Sequence, residues 1–343
     1  MRPIADRSAK PSRPAANEEN RQVPTPRIQY HDLHPTPADF AAEVLAGLRQ
    51  KPRCIPPKFF YDAEGSHLFD AITRLPEYYP TRTEMGILQT YAPEIAARVG
   101  TGALLVEPGG ATPAKARLLF DGLQPCAYVP MDISRDHLWV AAEQVAAEYP
   151  WLEVHAACTD FTRLLELPPN TPTGVRVAFF PGSSIGNFTP DDAVAFLTTV
   201  AELVGPGGYL LIGVDLKKDP ERLEAAYDDA DGVTAAFNLN LLRRINRELG
   251  ADFDLQAWRH QVRYNAEHGR VEMHLASVRP QAVQLAGERF EFDAGETIHT
   301  ENSYKYRVDE FQALACRAGF RPDAVWLDPD ALFSVQLLAV EGS

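Results

Sequence analysis

Apolar runs of strand length alternate with helical patterns along the chain from about residue 84 onwards. Five runs are typical of buried strands, at residues 103–107, 127–132, 152–156, 175–180 and 208–214. A helical pattern follows the first, second and fourth runs. The last of these helices has a typical start, with a capping side chain, a proline and acidic residues in Thr189-Pro190-Asp191-Asp192. This alternation predicts an α/β fold in which helices cover both faces of a parallel sheet.

The alternation stops between residues 217 and 305. A long helical stretch over 220–249 precedes two strand-like runs, at 271–278 and 296–300. A helix and two strands then resume the first pattern, over 308–318, 324–327 and 333–340. We therefore predict a flexible, proline-rich tail over residues 1–27. The predicted sheet domain comprises 83–216 plus 306–343, and the predicted inserted α+β lobe comprises 28–82 plus 217–305.

Composition narrows the range of partners. The chain carries 33 lysine and arginine residues against 47 aspartate and glutamate residues, a formal net charge of −14. This charge opposes binding to nucleic acid or to an anionic membrane surface. No apolar run approaches the roughly 18 residues of a membrane span, and no apolar signal segment is found. The four cysteines lie far apart, so we expect no metal site, no disulfide framework and a cytoplasmic location.

Candidate ligand-binding residues follow the ends of the predicted strands, where ligands bind in a parallel sheet. The first strand leads into a turn, Gly109-Gly110, that lets a ligand approach the backbone. The second ends in Asp132, whose carboxylate can accept hydrogen bonds from ribose hydroxyls. The third leads to Asp160 and Phe161, which can hold an adenine amine and ring face, although an aspartate there could also simply cap a helix. These features favour a nucleoside-containing cofactor.

Two classes of cofactor use such a scaffold, nicotinamide dinucleotides and S-adenosylmethionine. The turn lacks the third glycine of the GxGxxG pattern, which counts against the pyrophosphate of a dinucleotide. After the fourth strand, the loop over 182–187 ends in Asn187, an amide that could lie beside a reacting methyl group or could simply form a turn. A methyltransferase and a dehydrogenase are therefore both open at this point.

Five longer segments carry a more specific resemblance. In chain order they read PPKFFYD at 56–62, LPEYYPTR at 75–82, GSSIGN at 182–187, AAYDDA at 225–230 and TENSYKY at 300–306. Together they resemble the histidine-specific N-α-methyltransferases of ergothioneine biosynthesis, which make trimethylhistidine (hercynine). The resemblance runs from about residue 35 to the C-terminus. It implies a Rossmann-like class I methyltransferase fold that uses S-adenosylmethionine, with the second lobe binding the substrate.

The same resemblance implies roles for individual residues. Those implied to hold S-adenosylmethionine are Gly109, Lys115, Asp132, Asp160 and Phe161. Tyr61 and Asn187 are implied to act at the reacting centre, and Asn187 with Tyr227 is implied to anchor the α-carboxylate and amine of the substrate. The residues implied to contact the imidazole are Tyr78, Met273, Glu301 and Ser303.

Elementary chemistry agrees with an imidazole substrate. A neutral imidazole offers one hydrogen-bond donor and one acceptor, so a carboxylate such as Glu301 and a hydroxyl such as Ser303 can satisfy both nitrogens. A ring without those nitrogens would leave buried polar groups unpaired. The resemblance therefore predicts an enzyme that trimethylates L-histidine, and we expect it to be a monomer. The same transfer on another aromatic amino acid, a dehydrogenase and a catalytically silent relative are the alternatives.

Overall fold

The computed structural model describes residues 27–33, 37–162 and 165–342, and the predicted tail lies outside them apart from residue 27. The strands are, in chain order, β1 (Ile28–Asp32), β2 (Arg53–Cys54), β3 (Leu104–Pro108), β4 (Ala127–Asp132), β5 (Glu153–Cys158), β6 (Arg176–Phe180), β7 (Tyr209–Asp215), β8 (Trp258–Asn265), β9 (Arg270–Ser277), β10 (Gln281–Leu285), β11 (Glu288–Phe292), β12 (Thr297–Tyr304), β13 (Phe320–Leu327) and β14 (Phe333–Val340). The α-helices are α1 (Pro37–Arg49), α2 (Ala63–Ile72), α3 (Tyr79–Val99), α4 (Arg117–Leu123), α5 (Arg135–Glu148), α6 (Pro190–Val204), α7 (Pro220–Ala225), α8 (Val233–Leu249) and α9 (Val308–Arg317). Short 3₁₀ helices cover Pro57–Phe60, Ser184–Asn187 and Leu255–Ala257.

Eight strands form one large sheet in the order β1-β5-β4-β3-β6-β7-β14-β13. The first six in that order run parallel, and β14 and β13 are antiparallel additions at one edge. The five strands expected in the first half of the sheet domain correspond to β3, β4, β5, β6 and β7. The predicted α/β fold with its parallel sheet is confirmed.

One strand of the large sheet departs from the predicted domain plan. The sequence pattern assigns residues 28–32 to the second lobe, but they form β1, which pairs with β5 so that Ile28 lies opposite Val154. Tyr30 packs against Trp139 of α5, with 4.9 Å between ring centroids, and donates a hydrogen bond to Glu143. A five-residue edge strand with few apolar positions has too weak a pattern to be found from the sequence.

Helices cover both faces of the large sheet. Along β3, Leu105 packs in a core with α3, α4 and α5, whereas Leu104 and Val106 pack with α6 and α9. All three side chains are fully buried, which explains why this strand is a continuous apolar run rather than an alternating one. Within the described ranges, none of the helices combines the length and apolar character that crossing a membrane requires.

A second core surrounds a four-stranded sheet in the order β2-β12-β9-β8. Helices α1, α2, α7 and α8 and the β10–β11 hairpin contribute to it, and its buried side chains include Phe60, Phe237, Leu275 and Ile298. The predicted strands at 271–278 and 296–300 correspond to β9 and β12, but β8 and the hairpin are additional. The boundary predicted at residue 83 falls inside α3, so the division into two lobes stays a prediction.

The helical stretch predicted over 220–249 is interrupted. Helix α7 ends at Ala225 and α8 begins at Val233. Gly232 has a φ of +73°, which favours glycine, and the Asp229 carboxylate accepts the N–H groups of Val233 and Thr234 at 2.9 and 2.8 Å. Asp229 thus caps α8 from within the turn. The interruption places Tyr227 in a turn between two helices instead of on a helix face.

Candidate active site

A cavity lies between the loop after β6, strands β9 and β12, and the residue that precedes α3. All residues predicted to contact the substrate line it: Tyr61, Tyr78, Asn187, Tyr227, Met273, Glu301 and Ser303. The apolar wall also contains Phe69, Ile72 and Phe237, which the sequence analysis missed because helical spacing on α2 and α8 indicates only a core position. The roles of these residues remain predictions.

A β-bulge in β12 aims two polar side chains into the cavity. His299 pairs with His274 of β9, but the register then shifts so that Glu301 pairs with Met273. Adjacent residues of a strand face opposite sides of a sheet. The bulge therefore places Glu301 on the side of Met273, away from His299, and Ser303 follows on the same side. Without the bulge, Glu301 would share the face of His299.

The loop after β6 brings Asn187 to the same cavity. Gly182 and Ser183 have φ values of +82° and +60°, which turn the chain out of the strand. A Cβ added to Gly186 would lie 2.8 Å from the carbonyl oxygen of Tyr304, so glycine is needed for this approach to β12. Asn187 therefore lines the cavity together with Glu301 and Ser303 of β12.

Three tyrosines, Tyr61, Tyr78 and Tyr227, line the cavity together. Tyr78 packs edge-on against Tyr227, with 6.2 Å between ring centroids, and Tyr61 packs against Phe237 at 5.8 Å. Burial raises the pKa of each of the three phenols well above its ordinary value. The phenols therefore stay protonated at neutral pH, and they can orient a ligand through hydrogen bonds but cannot act as anionic bases.

The Glu301 carboxylate is the acidic group of the cavity. Burial raises its pKa to about 7, and the nearby charge of Lys305 acts in the opposite direction. Among the described residues, no donor is found within hydrogen-bond distance of this carboxylate. A ligand N–H is therefore free to use Glu301 as its acceptor.

A charged network lies directly behind the hydroxyl groups of the cavity. Lys305, which is fully buried, donates to the Tyr227 hydroxyl and to Ser303 Oγ at 2.9 Å each, and lies 2.7 Å from Asp215 Oδ2. Lys218 binds the other oxygen of Asp215 at 2.5 Å. Burial alone would raise the pKa of Asp215, but the two lysines outweigh it and keep this pKa below its ordinary value.

The sequence analysis missed this network, although two signals pointed to it. Asp215 ends a buried strand of the parallel sheet, as Asp132 does, and the ends of such strands are where polar site residues lie. Lys305 lies inside the segment TENSYKY that was used for the resemblance. Neither signal indicates that the two residues meet, because they are far apart in sequence.

The predicted cofactor residues lie at the adjoining strand ends. Gly109 ends β3 in a turn, Asp132 ends β4, and Asp160 and Phe161 follow β5. Gly109 has a φ of +80°, and a Cβ added there would come within 4.0 Å of the Phe161 ring. Burial raises the pKa of Asp132 to about 6, so its carboxylate is largely ionised at neutral pH. Its Oδ1 accepts the N–H of Ser134 at 2.8 Å.

Two lysines connect this edge to other parts of the chain. Lys115 pairs with the buried Glu84 at 2.5 Å, and Glu84 also accepts the N–H of Gly182 at 2.9 Å. Lys115 is therefore held between the glycine turn and the loop that carries Asn187. Lys58 binds Asp160 Oδ2 at 2.7 Å. Lys58 lies in the segment PPKFFYD, but no role was predicted for it.

A second polar cluster lies on the opposite face of β9 and β12. The ligand atoms of Glu272, His274 and His299 come within 4.8 Å of one another, as in some metal sites. However, Glu272 already accepts hydrogen bonds from Arg263 at 2.6 Å and from Arg270 at 2.8 Å. Two guanidinium groups on the carboxylate oppose a further cation there, so we describe the cluster as an ion-pair network.

Comparison with known proteins identifies the family. The sequence profile of the family described as histidine-specific methyltransferase, SAM-dependent, matches residues 40–340. The chain belongs to this family. Histidine N-alpha-methyltransferase of Mycolicibacterium smegmatis is 46% identical to it over 88% of this chain and 96% of that protein, and the protein of the same name from Mycobacterium tuberculosis is 43% identical over 87% and 94%. L-tryptophan methyltransferase of Psilocybe serbica is 28% identical over 90% of this chain and 96% of that protein.

Membership of the family establishes the reaction class. The chain is an enzyme, a methyltransferase that uses S-adenosylmethionine, and the dehydrogenase alternative is excluded. The strand ends fit this cofactor: the ionised carboxylate of Asp132 suits ribose hydroxyls, and the ring of Phe161 faces the glycine turn. The turn without a third glycine suits a cofactor that carries no phosphate.

Proposed function

We propose that this methyltransferase transfers methyl groups to the α-amine of L-histidine and gives hercynine after three transfers. One observation carries the proposal. Glu301 faces the cavity without a hydrogen-bond donor from the described protein, and the hydroxyl pair of Tyr227 and Ser303 lies beside it. A free acceptor next to a hydroxyl donor is the complement of a neutral imidazole.

The spacing on β12 supports the same ligand. Glu301 and Ser303 lie two residues apart on one face of the strand, which separates them by about 6.6 Å. Both side chains can therefore contact one ring that lies over this face of the strand. Met273, on the facing strand, offers an apolar surface to the ring.

Asn187 is proposed to anchor the α-carboxylate and amine, with Tyr61 beside the reacting nitrogen. The resemblance implied the same anchoring role for Tyr227, but its hydrogen bond of 2.7 Å to Ser303 favours the imidazole end for its hydroxyl. When bound, S-adenosylmethionine supplies the methyl group, and the residues proposed to hold it are Gly109, Lys115, Asp132, Asp160 and Phe161. The amine is largely protonated at neutral pH and must lose its proton before it reacts. Because the phenols stay protonated, we propose that the side chains orient the amine and that its proton passes to water.

A second candidate is the same transfer on another aromatic amino acid. The similarity to an L-tryptophan methyltransferase supports it, as does the apolar wall formed by Phe69, Phe237 and Met273. An indole offers one N–H donor and no acceptor nitrogen. Tryptophan would therefore leave the hydroxyl pair beside Glu301 without a partner, and we place histidine first.

The experiment is a methylation assay with the purified chain, S-adenosylmethionine and each of the twenty amino acids in turn. Mass spectrometry over time follows the mono-, di- and trimethylated products. We expect turnover with histidine, ending at three methyl groups, and none with an amino acid that lacks an imidazole. Turnover of tryptophan in preference to histidine would support the second candidate. A histidine product with a single methyl group would contradict trimethylation.

We also propose that the enzyme is a cytoplasmic monomer built from a sheet domain and a substrate-binding lobe. The acidic composition and the widely spaced cysteines support the location, and one chain supplies every residue of the proposed site. Sedimentation velocity at assay concentrations tests the monomer.

A further inference from the structure

Lys305 is a buried charge that touches the cavity only through its neighbours. Its side chain and that of Asp215 are completely shielded from solvent. An ammonium group has three protons to donate, and Lys305 has three oxygen acceptors within 2.9 Å: Asp215 Oδ2, the Tyr227 hydroxyl and Ser303 Oγ. A lysine buried at this depth needs such partners, because an unpaired buried charge is very costly. Each of the three ammonium protons therefore has an oxygen acceptor.

The lysine restricts what the two hydroxyls can do. The Tyr227 and Ser303 oxygens lie 2.7 Å apart, so they share one proton in a hydrogen bond. Each oxygen also accepts a proton from Lys305. The pair owns two protons in all, so one remains after the shared bond is made. Among the described residues no further acceptor lies within hydrogen-bond distance of the pair, and the cavity is the direction left to that proton.

We propose that Lys305 is a positioning residue, which holds Tyr227 and Ser303 as one unit that offers the substrate a single hydrogen-bond donor beside the carboxylate of Glu301. This inference rests on the proposed function and deepens it. One donor next to one acceptor fits the neutral form of an imidazole, which has one acceptor and one donor nitrogen. A protonated imidazole has two N–H donors and no acceptor nitrogen, so the donor that the hydroxyl pair offers would have no partner on the ring.

The test compares two lysines that share one carboxylate. Lys305→Met removes the hydrogen bonds to Tyr227 and Ser303, and we expect the KM for histidine to rise about tenfold, the effect of one misplaced hydrogen bond. Lys218→Met is the matched control: Lys218 binds Asp215 and the hydroxyl of Tyr79, neither of which lines the cavity. It should change that KM by less than about twofold. In both variants Asp215 keeps one lysine.

Three further measurements separate positioning from structural damage. The Kd of S-adenosylhomocysteine, from calorimetry, should stay within about twofold of wild type in both variants if they are folded. Lys305→Gln keeps an uncharged NH₂ group with two donor protons and serves as the second variant if methionine is not tolerated, with a smaller rise in KM. Ser303→Ala should also raise KM, and combining it with Lys305→Met should add less than about twofold, because both act through one unit.

The outcomes are distinguishable from a failure of the proposed function. Wild-type turnover of histidine is measured first, and its absence overturns the proposed function itself. If the wild type methylates histidine, equal KM values in the Lys305→Met and Lys218→Met variants overturn the role of Lys305. A KM in the double variant that equals the product of the two single effects also overturns it, because Lys305 and Ser303 would then act independently.

Discussion

Glu301 is the residue on which the proposed recognition of histidine depends most directly. Its pKa is raised to about 7 by burial, so the carboxylate is ionised above this pH and protonated below it. In the ionised form either oxygen can accept a hydrogen bond from a ring N–H, whereas in the protonated form one oxygen carries a proton and acts as a donor. Because no donor from the described protein binds the carboxylate, its loss should affect the substrate far more than the fold.

We predict that Glu301→Gln lowers kcat/KM for histidine by about tenfold or more at pH 8, since a hydrogen bond to a charged group is lost. The difference should shrink as pH falls through 7, because the wild-type carboxyl then becomes neutral as well. The measurement is kcat/KM from pH 5.5 to 9 for both proteins. The imidazole of free histidine titrates in the same range in both, so the ratio of the two profiles isolates Glu301.

The control for this substitution is Glu267→Gln, an identical chemical change at an exposed position in the turn between β8 and β9. The ratio of its kcat/KM to that of the wild type should stay near one at every pH. A pH-independent ratio for Glu301→Gln would contradict the assignment of the titration to Glu301. An unchanged kcat/KM at pH 8 would remove this residue from the substrate contacts.

At the scale of elements, the start of α6 is the feature that the sequence predicts most fully. Thr189 Oγ1 accepts the N–H of Asp192 at 3.3 Å, and Pro190 is the first helical residue. We predict that Thr189→Ala lowers the free energy of unfolding by about 1 kcal/mol, since an orphan N–H loses its acceptor. Urea denaturation measures it, and methylation kinetics should not change because α6 does not line the cavity.

Thr199→Ala, in the same helix, provides the matched comparison. Thr199 is exposed and donates to the carbonyl of Ala195, four residues earlier, at 3.2 Å. Alanine has the higher helix propensity, so this variant should keep or raise the free energy of unfolding. Equal losses in both variants would show that the cap does not contribute and that loss of threonine alone explains the effect.

Other elements show where sequence patterns stop being informative. The alternation of Trp258, His260, Val262 and Tyr264 with polar residues is a typical strand signal, yet β8 is not among the predicted strands. The break between α7 and α8 depends on Asp229 capping one particular helix. The bulge in β12 leaves no composition signal, because a shift of register is decided by the neighbouring strand.

The same distinction holds for the candidate site across the whole molecule. The sequence predicted that Glu301 and Asn187 belong to one site, and the structure brings both to one cavity. It did not predict contacts between segments that are distant in sequence, such as Lys305 with Asp215 or Lys58 with Asp160. Hydrophobic periodicity reports which face of an element is buried, and it carries no information on which charged groups meet after packing.

Lys58 connects the two ends of the proposed site. It lies in the 3₁₀ helix that leads into Tyr61 of the cavity, and its ammonium group binds Asp160 beyond β5 at 2.7 Å and Glu43 of α1 at 3.0 Å. Burial alone would raise the pKa of Asp160, but the hydrogen bond from Lys58 outweighs it and keeps this pKa below its ordinary value. Lys58 thus links Asp160, a predicted cofactor residue, to the segment that carries Tyr61.

We predict that Lys58→Met weakens both ligands. Asp160 would lose the partner that orients it, so the Kd of S-adenosylhomocysteine should rise about tenfold, and the KM for histidine should rise as well because the chain before Tyr61 is released. Calorimetry and steady-state kinetics measure the two effects. Lys51→Met is the matched control, since Lys51 is 65% exposed and pairs with Glu296 away from the cavity. Glu301→Gln, by contrast, should change histidine alone, so a Lys58→Met variant that also affected only histidine would contradict the coupling.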